Sequence, residues 1–132
     1  IMVSGEKLMK TAQDYLAAAN AAVPKLDIAD GIAKHEVGGA LFIDVRDGLE
    51  IAASGTIAGA LRIPRGFMEF AADENTAVYN PALKKDSEII LVCGAGGMAA
   101  LTGLTLTEMG FTNVHNVGGF SSWKDAGGPT EA

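Results

Sequence analysis

A chain of 132 residues fits one domain, and 48% hydrophobic with 20% charged residues is an ordinary globular make-up that buries a core without a metal or disulfide staple. The net charge of −6 argues against a general nucleic-acid binder, which needs a basic face, so positive potential for small anions must be gathered locally. No stretch approaches the roughly 20 apolar residues that cross a bilayer, and a single cysteine excludes an internal disulfide.

His35 and His115 have no cysteine or histidine partner at metal-ligand spacing, so neither a metal nor a cofactor is expected. The first ten residues show no long apolar run behind a basic segment, so no secretory signal is expected and a cytoplasmic, reducing setting is. The 17 glycines point to turns and to a site built from backbone.

In chain order, Leu8, Ala12, Tyr15, Leu16 and Ala19 recur at three-to-four spacing and predict a helix over 6–22, stopped by Pro24 and packed on the domain that follows at 23–132. Asp27 reads as the N-cap of a short helix through His35, closed by Gly38 and Gly39. The near-continuous apolar run at 40–45 predicts a strand buried on both faces, and 61–63 a second, stopped by Pro64. Residues 88–93, EIILVC, predict a third. A helix over 98–109 with Gly110 as its cap, a strand over 113–117 and a last helix over 121–126 around Trp123 complete the chain. Strands alternating with helices imply an α/β fold whose mainly parallel sheet is covered on both faces. Ligands of such sheets bind beyond the carboxyl ends of the strands.

Cys93 ends a buried strand there. Gly94-Ala95-Gly96-Gly97 follows, nearly free of side chains, and then a helix. Such a loop can aim several backbone N–H groups at one point, and the helix N-terminus adds partial positive charge. The position favours the thiolate, which is the nucleophile. A buried core cysteine is a second reading. A third is the dinucleotide fingerprint GxGxxA over 94–99, although the acidic residue expected some 20 positions on is absent from 113–117. Phosphate-ester chemistry is disfavoured. A cysteine phosphatase closes its loop with an arginine six positions after the cysteine, where this chain has Ala99.

The chain resembles the rhodanese family of single-domain sulfurtransferases. Asp44-Val45-Arg46-Asp47, Glu50 and Gly55-Thr56-Ile57-Ala58-Gly59-Ala60 are similar to its first signature, extended by Ile63-Pro64-Arg65-Gly66. Met109-Gly110-Phe111, Asn113-Val114 and Gly118-Gly119-Phe120 with Trp123 are similar to its closing one. The resemblance implies a roughly five-stranded parallel sheet with helices on both faces. It also implies a two-step transfer: Cys93 takes sulfane sulfur from thiosulfate or a persulfide, then passes it to cyanide or a thiol. No acceptor protein is identified. By the same resemblance, the amides of Gly94, Ala95, Gly96, Gly97, Met98 and Ala99 hold the sulfur's charge. Asp44, Arg46, Glu50 and Gly59 belong to the signature as structural residues. Arg65 stands on a strand-end loop, where it either draws anions to the cradle or serves the surface.

One position departs from the family pattern: Met98 stands where the loop usually ends in arginine. Losing that charge-assisted contact weakens anion binding roughly ten- to a hundredfold, and methionine offers an apolar, adaptable wall instead. Two expectations follow. One is an active sulfurtransferase that prefers a less charged donor, such as an organic persulfide. The other is a catalytically weak binding or regulatory module.

Overall fold

The structure, a computed structural model, describes residues 9–132. Its first element, α1 (Ala12–Ala22), starts where the Thr11 side chain accepts from the Asp14 amide and Asp14 accepts from the Thr11 amide. That reciprocal cap fixes the helix start. The helix predicted over 6–22 therefore begins later, at Ala12, while residues 6–8 lie outside the described residues. Helix α2 (Ile28–Val37) begins after Asp27, whose carboxylate makes no capping bond, and stops at Gly38.

The apolar runs form β1 (Leu41–Asp44) and, further on, β4 (Ile89–Cys93), the latter buried at every position. Between them lie α3 (Gly48–Ser54), β2 (Thr56–Ile57), β3 (Leu61–Arg62), a 3-10 turn at Arg65–Phe67 and α4 (Met68–Ala72). After β4 come α5 (Gly97–Glu108), β5 (Val114–Gly119), α6 (Phe120–Asp125) and β6 (Thr130–Glu131). Helix α5 starts one residue earlier than the pattern predicts. Met109 is its cap, and Gly110, at φ 97°, is the next residue.

The main sheet has four parallel strands in the order β3-β1-β4-β5. At its β5 edge a fifth position is reduced to one parallel bridge between Lys25 and Asn116. Leu26 N donates to Asn116 O at 2.9 Å and Asn116 N donates to Pro24 O at 3.0 Å. Pro24 has no N–H to extend the ladder, and α2 begins four residues after it, at Ile28, so this edge stays short. β2 and β6 make a separate antiparallel pair.

Period-two alternation along β4 sorts the core. Ile89, Leu91 and Cys93 face one cluster with Met68, Ala99 and Leu106, under α4 and α5. Ile90 and Val92 face the other, with Ile32, Phe120 and Trp123 under α2 and α6. A strand packed on both faces must be apolar at successive positions, as EIILVC is. Successive strands run outward from β1 to β3 and then, from β4, to β5, so the direction of winding reverses between β1 and β4. That is the switch point at which such sheets open a crevice beyond their carboxyl ends. Asp44 and Cys93, the last residues of β1 and β4, stand there.

Candidate active site

Cys93 ends β4 with its side chain toward α5 and is 1% exposed. Two backbone amides converge on its sulfur. Gly96 N donates to Sγ at 3.0 Å and Ala99 N donates at 3.3 Å. Ala99 is in the first turn of α5, so the sulfur lies within reach of the helix's positive end. Gly94 and Ala95 are exposed, and Gly96 and Gly97 are half-buried. Solvent thus meets the loop on its outer side.

Two glycines let the chain turn this tightly. Gly96 sits at φ 97°, in the left-handed region that costs a side-chain-bearing residue energy. Gly119 packs against the Gly94 carbonyl with no room for a Cβ. A register shift between Leu91 and Val92 carries β5 two residues beyond its predicted end and brings Gly119 opposite Cys93.

The loop is tied from behind by Asn116, which composition and motifs did not single out. Its Nδ2 donates to Gly96 O at 2.9 Å, and its Oδ1 accepts from Gly118 N at 2.8 Å. A polar residue between the buried Val114 and Val117 of β5 was the available signal, because buried polar groups are almost always bonded to something specific.

The signature residues occupy a second network one strand away. Arg46 Nη2 lies 2.8 Å from Asp44 Oδ2, and both residues are buried. Asp44 also accepts from Thr56 Oγ1 at 2.7 Å, while Arg46 donates to Ser54 Oγ and Gly55 O, each at 2.9 Å. The guanidinium stacks 4.8 Å from the centre of the Phe120 ring. Its hydrogen bonds to Asp44 raise its pKa above the ordinary arginine value, against the opposing effect of burial. The network joins the end of β1 to the start of β2.

Glu50 is exposed in the first turn of α3, and its amide donates to Asp47 Oδ1 at 2.9 Å. That bond is the main reason the Asp47 carboxyl titrates below the ordinary 3.8. Gly59, at φ 79°, donates its amide to Glu131 Oε1 at 2.6 Å. Arg65 lies near Gly97 and Met98, but its guanidinium is engaged by other side chains. Its Nη1 pairs with Glu69 at 3.2 Å and its Nη2 donates to Thr105 Oγ1 at 3.2 Å. Met98 is 38% exposed beside the loop.

The histidines lie elsewhere. His35 Nε2 bonds Ala58 O at 2.7 Å within an aromatic cluster of Phe42 and Trp123. His115 is half-buried in β5, and its Nδ1 finds no hydrogen-bond partner among the described residues. Among the described residues, no three His, Cys, Asp or Glu side chains gather to hold a metal ion, and no helix is long and apolar enough to cross a membrane.

A sequence profile of the rhodanese-like domain family matches residues 27–126. The chain belongs to the rhodanese-like domain family. The match begins at Asp27 and leaves α1 outside it. A plant relative, the protein High Arsenic Content 1, mitochondrial, of Arabidopsis thaliana, is 38% identical over 95 residues, covering 65% of this chain. The chain spans about half the length of that relative, 53%.

Solved rhodanese-like structures agree in fold. A human single-domain sulfurtransferase superposes with TM-score 0.69 at 25% identity, covering 78% of this chain and 96% of that one. The polysulfide-sulfur transferase homodimer of Wolinella succinogenes gives 0.68 at 27%, covering 88% and 83%. A Rhodopseudomonas palustris protein of unknown function, labelled a possible tyrosine phosphatase, gives 0.87 at 32%, covering 96% and 98%.

Proposed function

We propose that this rhodanese-like protein is a sulfurtransferase that carries sulfane sulfur as a persulfide on Cys93. The observation that supports this reading most directly is the convergence of the Gly96 and Ala99 amides on Sγ at the start of α5. Donors fixed in that way stabilise negative charge on sulfur without reorganising, as an oxyanion hole does for oxygen.

In the first half-reaction the Cys93 thiolate attacks the outer sulfur of thiosulfate or of an organic persulfide. A Cys93 S–S bond forms, the donor's bond to that sulfur breaks, and sulfite or the donor thiolate leaves with the electron pair. In the second, cyanide or a thiolate attacks the outer sulfur and Cys93 leaves as thiolate. Each step conserves charge and needs no redox cofactor. A lone thiol used this way suits a reducing compartment.

The phosphatase label of the Rhodopseudomonas protein does not transfer. The loop has Ala99, buried against the core, where phosphoryl chemistry would place a bidentate arginine. Met98 favours a second, weaker reading, a binding module with little turnover, because the loop has no side-chain cation of its own.

Thiocyanate formation from cyanide, measured with thiosulfate and with an organic persulfide as donors, separates the two. Turnover that disappears in Cys93→Ser supports the transferase. Background rates with every donor in the wild-type protein leave the binding module.

A further inference from the structure

Two recesses flank the Cys93 loop, separated by Leu16 of α1. Leu16 packs on Gly97, where an added Cβ would lie 3.5 Å from its Cδ2. One recess, about 460 Å³, is polar and contains Asn20, Lys25, Asp27 and Asn116. The other is a groove of about 500 Å³ between α1 and α5. Its walls are Tyr15 and Leu16 on one side and Gly97, Met98 and Leu101 on the other, with Arg65 at the edge. Its lining is almost wholly apolar.

We propose that this α1–α5 groove binds the organic body of the sulfur donor or acceptor, and that the class it selects is small thiols and persulfides with an apolar alkyl or aryl group. The inference rests on the sulfurtransferase reading and assigns that site its substrate class. Four observations carry it. One wall of the groove, Gly97 and Met98, is the stretch of chain between the two residues whose amides hold Sγ, so the groove lies beside the loop that carries the reacting atom. Its volume suits a small molecule rather than a protein segment. Arg65, the one cation in its lining among the described residues, is already engaged by Glu69 and Thr105, and Lys10 lies outside the lining with its Nζ 5.7 Å from the centre of the Tyr15 ring. Tyr15, 54% exposed, and Met98, 38% exposed, leave apolar surface beside a nucleophile that a bound substrate would cover.

The transfer keeps the balance given above. With an arenethiosulfonate, the Cys93 thiolate bonds to the outer sulfur, the S–S bond to the sulfonyl group breaks, and an arenesulfinate leaves. Only the occupant of the groove changes. α1, one wall of the groove, lies outside the segment that matches the family profile, while Met98 and Leu101 on the other wall lie inside it.

The test compares methanethiosulfonate with benzenethiosulfonate, which carry the same charge and the same reacting bond and differ in apolar body. Benzenethiosulfonate is expected to give the higher kcat/KM by about tenfold. The exposed substitutions Tyr15→Ser and Met98→Gln are each expected to shrink that ratio. Equal values for the two donors in the wild-type protein, or a ratio unmoved by both substitutions, would overturn the groove assignment while sulfur transfer stands.

Binding of benzenesulfinate to Cys93→Ser, followed by NMR, reads the groove without turnover. Shifts at the Met98 methyl and the Tyr15 ring are expected, and their absence overturns the assignment. If no donor sulfurates wild-type Cys93, the transferase reading fails, and this binding measurement still decides whether the groove takes an apolar ligand.

Discussion

Met98 leaves the loop without a side-chain cation. The Gly96 and Ala99 amides address the sulfur itself, but no side-chain cation in the loop addresses a second charge on the donor. Met98→Arg is expected to raise kcat/KM for thiosulfate about ten- to a hundredfold by restoring a charge-assisted contact; steady-state kinetics with thiosulfate check this. Unchanged kinetics would mean that another group already supplies the charge. Asp44 works one strand away through structure. It is fully buried and accepts from Arg46 and Thr56, so Asp44→Ala strands a buried guanidinium. The expected loss is about 3–5 kcal/mol in urea unfolding. The motif residues Asp44, Arg46 and Cys93 were legible because their chemistry constrains them and their order is specific. Arg65 was not. Its sequence position allows either a cradle or a surface role, and only packing shows the guanidinium held by Glu69 and Thr105. Asn116 was missed because its role is to tie backbone, which no spacing rule reports.

At the scale of elements, the contact between α1 and α5 is close enough to test. Gly103 of α5 faces Val23, and a Cβ there would lie 2.8 Å from both Val23 methyl carbons. Gly103→Ala gains roughly 1 kcal/mol of helix propensity, but overpacking against a stiff β-branched side chain costs about 1–3 kcal/mol. A net loss of stability is expected in denaturant unfolding; a gain would show that α1 yields easily. Helix α3 carries a pH dependence. The Asp47 carboxylate accepts from the Glu50 amide and titrates below the ordinary 3.8, so it contributes stability above pH 3.8 that is lost as pH falls through its folded value. Asp47→Asn keeps a capping oxygen without the charge. Its unfolding midpoint is expected to vary less with pH below 3.8 than that of the wild type, as followed by circular dichroism. Strands β1 and β4 and helix α5 were legible from buried runs and glycine punctuation. Short α3, α4, β2 and β6 were not, since five to seven residues show no period and the antiparallel pair joins segments far apart in sequence.

For the whole molecule, a net charge of −6 makes distant attraction of dianions unfavourable, so the protein depends on local donors. The fold supplies them by placing a strand end, a glycine-rich turn and a helix start at one switch point of the sheet. The two-faced parallel sheet was readable from alternation of strands and helices. The number of strands was less so: Pro24 and the start of α2 reduce the fifth position to the bridge at Asn116, a detail set by where two neighbours end. Sulfur transfer through a persulfide rests on one atom, the sulfur of Cys93. Mass spectrometry of the protein and its peptides after incubation with thiosulfate, an alkyl persulfide and benzenethiosulfonate tests it most directly. The mass of an added sulfur is expected on the peptide bearing Cys93, removed by cyanide or a thiol and absent from Cys93→Ser. A Cys93 peptide that gains no sulfur from any of the three donors would contradict it.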